Sequence, residues 1–303
     1  MSGVTGNGGG LTPQGQFAQL ARDLDRGALV TVMRGPNLGA RLLVRTDGST
    51  DGTLGDPELD RVAATHADEL MWAERSEARE EGDVLLFVDV VFPAPRLVIF
   101  GAIDFAAQLC TLARVSGWVP YVSDPRGFFA RKDRFPDAEE VFVGWPDKTF
   151  AALGGIDRAM SIAVLTHDPK LDDAALEIAL RSEAAYVGAM GSHRAQAKRR
   201  DRLVAKGITD EELARLSAPI GLDLGALTPE ETALSIMSEI VALRRGRPGG
   251  RLANARGRIH EVTASIASIA CCSSGTPSSS ASCLGDPNRR APPAASTRPA
   301  ITR

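Results

Sequence analysis

The chain has 303 residues, 44% of them hydrophobic, which suggests roughly two domains with ordinary cores. Its formal charge of −3 is unevenly spread. Arg244 to Arg303 holds ten arginines against one Glu and one Asp, so the body before it is acidic, and nucleic acid is not expected as the main ligand.

No apolar run approaches the ~20 residues of a membrane span. The polar, glycine-rich start MSGVTGNGGGLTPQG lacks the basic and apolar regions of a secretory signal, so a cytoplasmic protein is expected. Residues 1–16 read as disordered. Phe17 to Asp25 reads as a short helix, and Ala28 to Arg34 and Ala40 to Arg45 read as strands. TDGSTDG is a turn signal, and Asp51 and Asp56 are expected to be solvated there. Helical spacing runs from about Pro57 to Glu80, followed by a strand over Asp83 to Phe92. These elements make residues 17–93 a small N-terminal α+β domain.

The stiff PAPR connector opens a second domain, residues 94–247. Leu97 to Phe100 reads as a buried strand, with a helix to about Ser116 and a second strand over Trp118 to Val122. A charged loop with three phenylalanines follows, then strands at Glu140 to Val143, Ala159 to Leu165 and Ala184 to Val187. Helices are expected over Leu171 to Leu180, Arg194 to Lys206, Thr209 to Arg215 and Thr228 to Arg245. Short apolar strands alternating with helices predict an α/β, Rossmann-like, doubly wound parallel sheet. Residues 248–303, rich in Ser, Pro and Ala, predict a disordered basic tail; three of the four cysteines lie there at no zinc spacing. Cys110 falls inside a helix and reads as a small core residue.

Ligands of open α/β sheets bind beyond the carboxyl ends of the strands, so four segments stand out. The first is Gly101-Ala102-Ile103-Asp104. A dinucleotide fingerprint asks for G-x-G-x-x-G/A with an acid about 20 residues on. Asp124 supplies the acid, but Ile103 replaces the middle glycine and crowds the pyrophosphate. Asp104 either caps its helix or contacts a ligand. The second is Thr166-His167-Asp168, with His167 placed for acid–base or hydrogen-bonding work, or simply a helix-capping turn. The third is Gly188-Ala189-Met190-Gly191-Ser192-His193-Arg194. Its glycines, serine and arginine either hold an anion or serve packing, and His193 is expected to point outward. The fourth is PIGLDLG, where Gly221 brings backbone close to a neighbour and Asp223 either contacts a ligand or satisfies the turn. No nucleophile elbow, P-loop or zinc motif is present, and no metal-binding residues are expected.

The segments LVIFGAIDFA, VSDPR, RFPDAEEV, VLTHDPKLD, YVGAMGSHR and APIGLDLGALTPEETALSI, in this order, resemble the XdhC/CoxI family of maturation factors for xanthine dehydrogenase and carbon monoxide dehydrogenase. The resemblance implies a small N-terminal domain followed by a Rossmann domain. It implies a chaperone that binds the molybdenum cofactor (molybdopterin or its dinucleotide form), shields it during sulfuration and aids its insertion into a molybdenum hydroxylase. It also implies cysteine desulfurase and a hydroxylase subunit as partners, and makes a homodimer reasonable. The cofactor's phosphate would suit the turn from Gly188 to Arg194. Two departures stand out. The family's G-G-G-C-x-E stretch is Gly55-Asp56-Pro57-Glu58-Leu59-Asp60 here, without the cysteine, and its GAGH-type turn is GAID. An NAD(P)-dependent oxidoreductase is the weaker alternative, favoured by Asp124 and opposed by Ile103 and Asp104. A degenerate member acting as an interaction scaffold is the other.

Overall fold

The computed structural model describes residues 11–256. The first lobe is an antiparallel sheet of β1 (Gly27–Arg34), β2 (Arg41–Arg45), β3 (Thr50–Thr53), β4 (Glu77–Glu81) and β5 (Val84–Val91), in the order β3-β2-β1-β5-β4. Helix α2 (Pro57–Ala73) covers one face with Ala63, Ala67, Leu70 and Met71, a single stripe at helical spacing. The stripe packs on Ala28, Val30, Leu42, Leu86 and Val88. Helix α1 (Pro13–Asp23) lies against β1 and β2. It begins inside the stretch expected to be disordered, because Thr12 caps it by accepting from the Gly15 N–H.

Two further expectations need correction. The helix expected to run to Glu80 ends at Ala73, where Glu74 takes a left-handed φ of 53°. Nearby, EAREE forms the edge strand β4. Its charged side chains suit an exposed edge but carry no apolar alternation, so they read as helix formers. Part of the TDGSTDG turn is β3, also an edge, where Gly52 faces Leu42.

The second lobe is a six-stranded parallel sheet of β6 (Arg96–Phe100), β7 (Val119–Ser123), β8 (Glu140–Phe142), β9 (Ser161–Val164), β10 (Tyr186–Ala189) and β11 (Leu216–Ser217), in the order β11-β10-β9-β6-β7-β8. Helices α3 (Asp104–Val115) and α8 (Pro229–Arg244) pack over Leu97 and Ile99 on one face. On the other face α5 (Pro169–Leu180) and α6 (His193–Ala205) pack over Val98, Phe100, Ile162 and Val164. With both faces covered, the inner strands are continuous apolar runs. Helices α4 (Pro146–Ala152) and α7 (Asp210–Ala214) complete the lobe, α7 with a capping box between Thr209 and Glu212. The strand expected at Ala184 to Val187 begins and ends two residues later, at Tyr186 and Ala189. No helix among the described residues is long and apolar enough to cross a membrane.

A buried carboxylate joins the lobes. Glu74, 4% exposed at its side chain, pairs with Arg26 at 3.0 Å and with Arg244 at the end of α8. The Arg26 guanidinium also lies 4.7 Å from the Trp72 ring centre and donates to the Met71 carbonyl. Beside this junction a cavity of about 500 Å³ opens, lined by Arg26, Arg45, Asp157 and Arg158 among others, at the amino ends of the parallel strands. Truncating Glu74→Ala leaves two arginines without their buried partner. It is expected to destabilise the chain by about 3 kcal/mol, read as a lower urea midpoint with an unchanged slope.

Candidate functional site

The parallel sheet reverses its winding between β6 and β9: β7 and β8 follow on one side, β10 and β11 on the other. A crevice at such a switch point, beyond the carboxyl ends, is where these folds bind ligands. Gly101, at φ +110°, makes the crevice narrow, since a Cβ there would stand 3.0 Å from the Thr166 nitrogen. Backbone bonds tie the strand ends into one row: Gly101 N–H to Ser123 O (2.9 Å), Leu165 N–H to Phe100 O (2.8 Å) and Met190 N–H to Val164 O (2.8 Å). Asp124, Gly101, Thr166 and Met190 therefore stand in sequence across β7, β6, β9 and β10, a span of ~14 Å at the usual strand spacing.

At the β6 and β7 ends the groups a dinucleotide would need are already engaged. The Asp124 side chain is completely buried. It accepts the Ala102 N–H (3.0 Å), the Arg126 N–H (2.9 Å) and two guanidinium nitrogens of Arg126 (2.9 and 2.7 Å). Burial pushes its carboxyl up, but the bonds from Arg126 and the two N–H groups outweigh burial and hold it below the ordinary carboxylate range. Asp104 is the first residue of α3 rather than its cap; Ile103 holds the cap position without a side-chain bond. The exposed Asp104 carboxylate pairs with Arg134 at 3.0 Å, and Arg134 also donates to the carbonyls of Ala102 and Phe129. Sequence reasoning does not single out Arg126 or Arg134. The only signal for Arg126 is its place two residues after the acid in VSDPR, the reach of a local carboxylate turn.

At the β9 end, the Thr166 hydroxyl accepts the Asp168 N–H (2.8 Å), and Asp168 caps α5 by accepting the Lys170 N–H (2.9 Å). The capping reading of this turn thus accounts for Thr166 and Asp168. His167 is exposed and makes no side-chain hydrogen bond among the described residues. The Asp168 charge also reaches Arg126, linking the β7 and β9 turns electrostatically.

At the β10 end, Gly188 lies inside the strand and not in the turn. A Cβ there would meet the Tyr186 hydroxyl at 2.5 Å and Ile220 at 2.6 Å, so this glycine serves packing. The turn itself is Met190-Gly191-Ser192. Gly191 sits at φ +136°, and Ser192 caps α6 by accepting the Ala195 N–H (3.3 Å). The Gly191 and Ser192 N–H groups have no acceptor among the described residues. His193 and Arg194 open α6 exposed, and Arg194 forms no ion pair among the described residues. A helix start with free N–H groups and a free guanidinium suits an anion.

The fourth segment is held by α8. Glu239 accepts the Gly221 N–H (2.8 Å) and the Tyr186 hydroxyl, and Ser235 donates to the Leu222 carbonyl. A Cβ on Gly221, at φ +100°, would collide with the Ser235 hydroxyl. Asp223 is exposed at the tip and makes no side-chain hydrogen bond or ion pair among the described residues.

Stretch 55–60, where the resemblance finds the cysteine missing, is a helix entry. Asp56 caps α2 through the N–H groups of Glu58 and Leu59, and Asp60 accepts from the Leu54 N–H and the Thr53 hydroxyl. Asp51 lies in β3 and accepts from Gln16 rather than standing in a solvated turn. Cys110, the one cysteine among the described residues, is buried on the inner side of α3, and burial pushes its thiol up to about 12. The cysteines and His260 of the tail lie outside the described residues, and no metal-holding cluster of His, Cys, Asp or Glu occurs among those described.

Cys110 should stay a thiol at pH 8. Iodoacetamide followed by peptide mass mapping is expected to find it unlabelled in the folded chain and labelled after denaturation. Asp124, with its carboxyl lowered on folding, stabilises the fold above the unfolded carboxylate value of about 4. That contribution is lost as pH falls through the lower folded value. The stability gap between wild type and Asp124→Asn should therefore be full at pH 7 and close in acid, as urea titrations at both pH values would read.

Two family models match the chain: "XdhC and CoxI family" over residues 20–82 and "XdhC Rossmann domain" over residues 97–240. The chain is 28% identical over 160 residues to a probable xanthine dehydrogenase subunit of Bacillus subtilis (strain 168), covering 53% of this chain and 46% of that protein. It is 26% identical over 152 residues to the molybdenum cofactor insertion chaperone PaoD of Escherichia coli (strain K12), covering 50% and 41%. The crystal structure of a xanthine dehydrogenase from Bacillus halodurans superimposes with a TM-score of 0.54 at 25% identity, over 76% of this chain and 66% of that one. The chain spans less than half the length of the curated relatives it matches.

Proposed function

The chain belongs to the XdhC and CoxI family, and on that premise we propose that it binds the molybdenum cofactor at the carboxyl edge of the parallel sheet. It holds the cofactor during sulfuration and hands it to a molybdenum hydroxylase of the xanthine or carbon monoxide dehydrogenase type. In this reading residues 17–93 and 94–247 are its two working domains, a cysteine desulfurase and the hydroxylase subunit are its partners, and it acts in the cytoplasm, as a homodimer where the family pattern holds. PaoD, a relative named for molybdenum cofactor insertion, supports the reading.

The observation that carries it is the division of the edge. The end that would take a dinucleotide is closed by Asp124, Arg126 and Arg134. The Gly191–Arg194 end keeps N–H groups and a guanidinium without partners among the described residues, the donor set a cofactor phosphate requires. Gly191, Ser192 and Arg194 would hold that phosphate, and His167 and Met190 would border the rest of the group. The bound cofactor supplies the redox chemistry used later by the client enzyme. The chain's own part is to bind, orient and shield. Cys110, buried and protonated, takes no part in sulfur transfer. The NAD(P) reading stands lower, because Asp124 would have to release Arg126 before it could meet a ribose.

Co-expression with a client hydroxylase, followed by purification, tests the proposal. Molybdenum by mass spectrometry and pterin by fluorescence after oxidation should both accompany the chain. Absence of both under saturating cofactor supply would sink it. Arg194→Ala, which removes a charge-assisted contact, should lower cofactor retention about tenfold. Binding to the client, measured separately, should survive; equal retention by wild type and variant would favour the scaffold reading instead.

A further inference from the structure

Beneath the Thr166–Asp168 and Met190–Ser192 turns lies a charge pair that the proposed cofactor contacts do not use. Asp172, in the first turn of α5, meets Arg199, in the second turn of α6, at 2.6 Å. Their side chains are 3% and 5% exposed. The guanidinium also donates to the Met190 carbonyl (3.1 Å) and to the Gln196 side-chain oxygen. The Gln196 amide in turn donates to the carbonyls of Ala189 (3.2 Å) and Gly191 (3.3 Å). Three successive carbonyls at the end of β10 are thus held from the inner side by one connected group. Thr166 adjoins the same carboxylate and favours its charged form.

The peptide plane turns this grip into an orientation. In a trans peptide the C=O of one residue and the N–H of the next point in opposite directions. With the Met190 and Gly191 carbonyls drawn inward, the N–H groups of Gly191 and Ser192 point outward, away from Arg199. These are the two N–H groups without an acceptor among the described residues. The positive φ of Gly191 lets the chain make this turn.

A pair this dry contributes little net stability compared with apolar residues of the same volume. Burial pushes the Asp172 carboxyl up in spite of Arg199, and the Arg199 Nε has no hydrogen-bond partner among the described residues. The arrangement is better explained by what it orients than by what it stabilises.

We infer that Asp172 and Arg199, with Gln196, are positioning residues: the buried pair fixes the Met190–Ser192 peptides so that their N–H groups face an anionic ligand. The inference rests on the reading of the carboxyl edge as the ligand face. Neither side chain touches the ligand, so the prediction concerns binding geometry and not contact.

The test uses the full chain, inorganic phosphate as probe, and amide chemical shifts of Gly191 and Ser192 as readout, with thermal midpoints recorded in parallel. In wild type both amides should shift saturably. Asp172→Asn and Arg199→Lys should fold yet bind phosphate about tenfold more weakly, since a lysine cannot reproduce the guanidinium fork. Gln196→Ala, at the half-buried rim, should weaken binding in the same direction and keeps the test readable should a core variant fail to fold. Variants with lowered midpoints but a wild-type dissociation constant would reduce the pair to a structural role and overturn the inference. A wild type that gives no response to phosphate at these amides would overturn the anion reading of the turn, and the inference with it.

Discussion

The close approach of two turns at the centre of the parallel sheet governs the rest of the site. Gly101 and Thr166 end neighbouring strands that feed helices on opposite faces, so the chain separates there and leaves a crevice. The approach requires a residue without a side chain at a left-handed φ. Ala102 and Ile103 then follow, with the Ala102 N–H taken up by Asp124 and its carbonyl by Arg134. The other side of the crevice is formed by the β9 and β10 turns, where the proposed ligand contacts lie.

Guanidinium groups fix most of these turns. Arg126 holds Asp124, Arg134 holds the Ala102 carbonyl, and Arg199 holds the Met190 carbonyl. Each presents several donors in a fixed plane, so one side chain can satisfy a carboxylate and a backbone carbonyl together. Their consequences differ. Arg126 and Arg134 consume the groups that a nucleotide would use. Arg199 faces the other way, drawing carbonyls inward and leaving N–H groups outward. The same chemistry closes one half of the edge and opens the other.

The opposite end of the sheet has a different character. The cavity beside Arg26, Arg45 and Arg158 is lined by charges of both signs, and its most buried arginine, Arg26, is already committed to Glu74, Met71 and Trp72. It marks where the two lobes meet. Its size alone would make it the first place to look for a ligand, but the Gly191, Ser192 and Arg194 donors, without a partner among the described residues, are at the carboxyl edge.

The alternation of apolar strands and helices points to the Rossmann-like class unaided, because a parallel sheet covered on both faces must bury whole strands. The order of the motifs carries the family, and Ile103 already tells against a dinucleotide. Local signals also place the starts of α7 and α8, where Thr209 and Thr228 cap through side chains that act within three residues. The edge strand β4 is hidden, since EAREE has helix-forming composition and pairs only through its backbone. Gly188 reads one element too late for a similar reason: whether a glycine ends a strand or packs within it depends on Tyr186 and Ile220, the latter more than thirty residues away. The partners of Asp124, Asp104 and Asp172 are not legible either. Sequence by itself determined which segments lie at the strand ends, to within a residue or two. Only the tertiary structure decided which of their polar groups were left free among the described residues, because that depends largely on side chains such as Arg134 and Arg199 arriving from other elements.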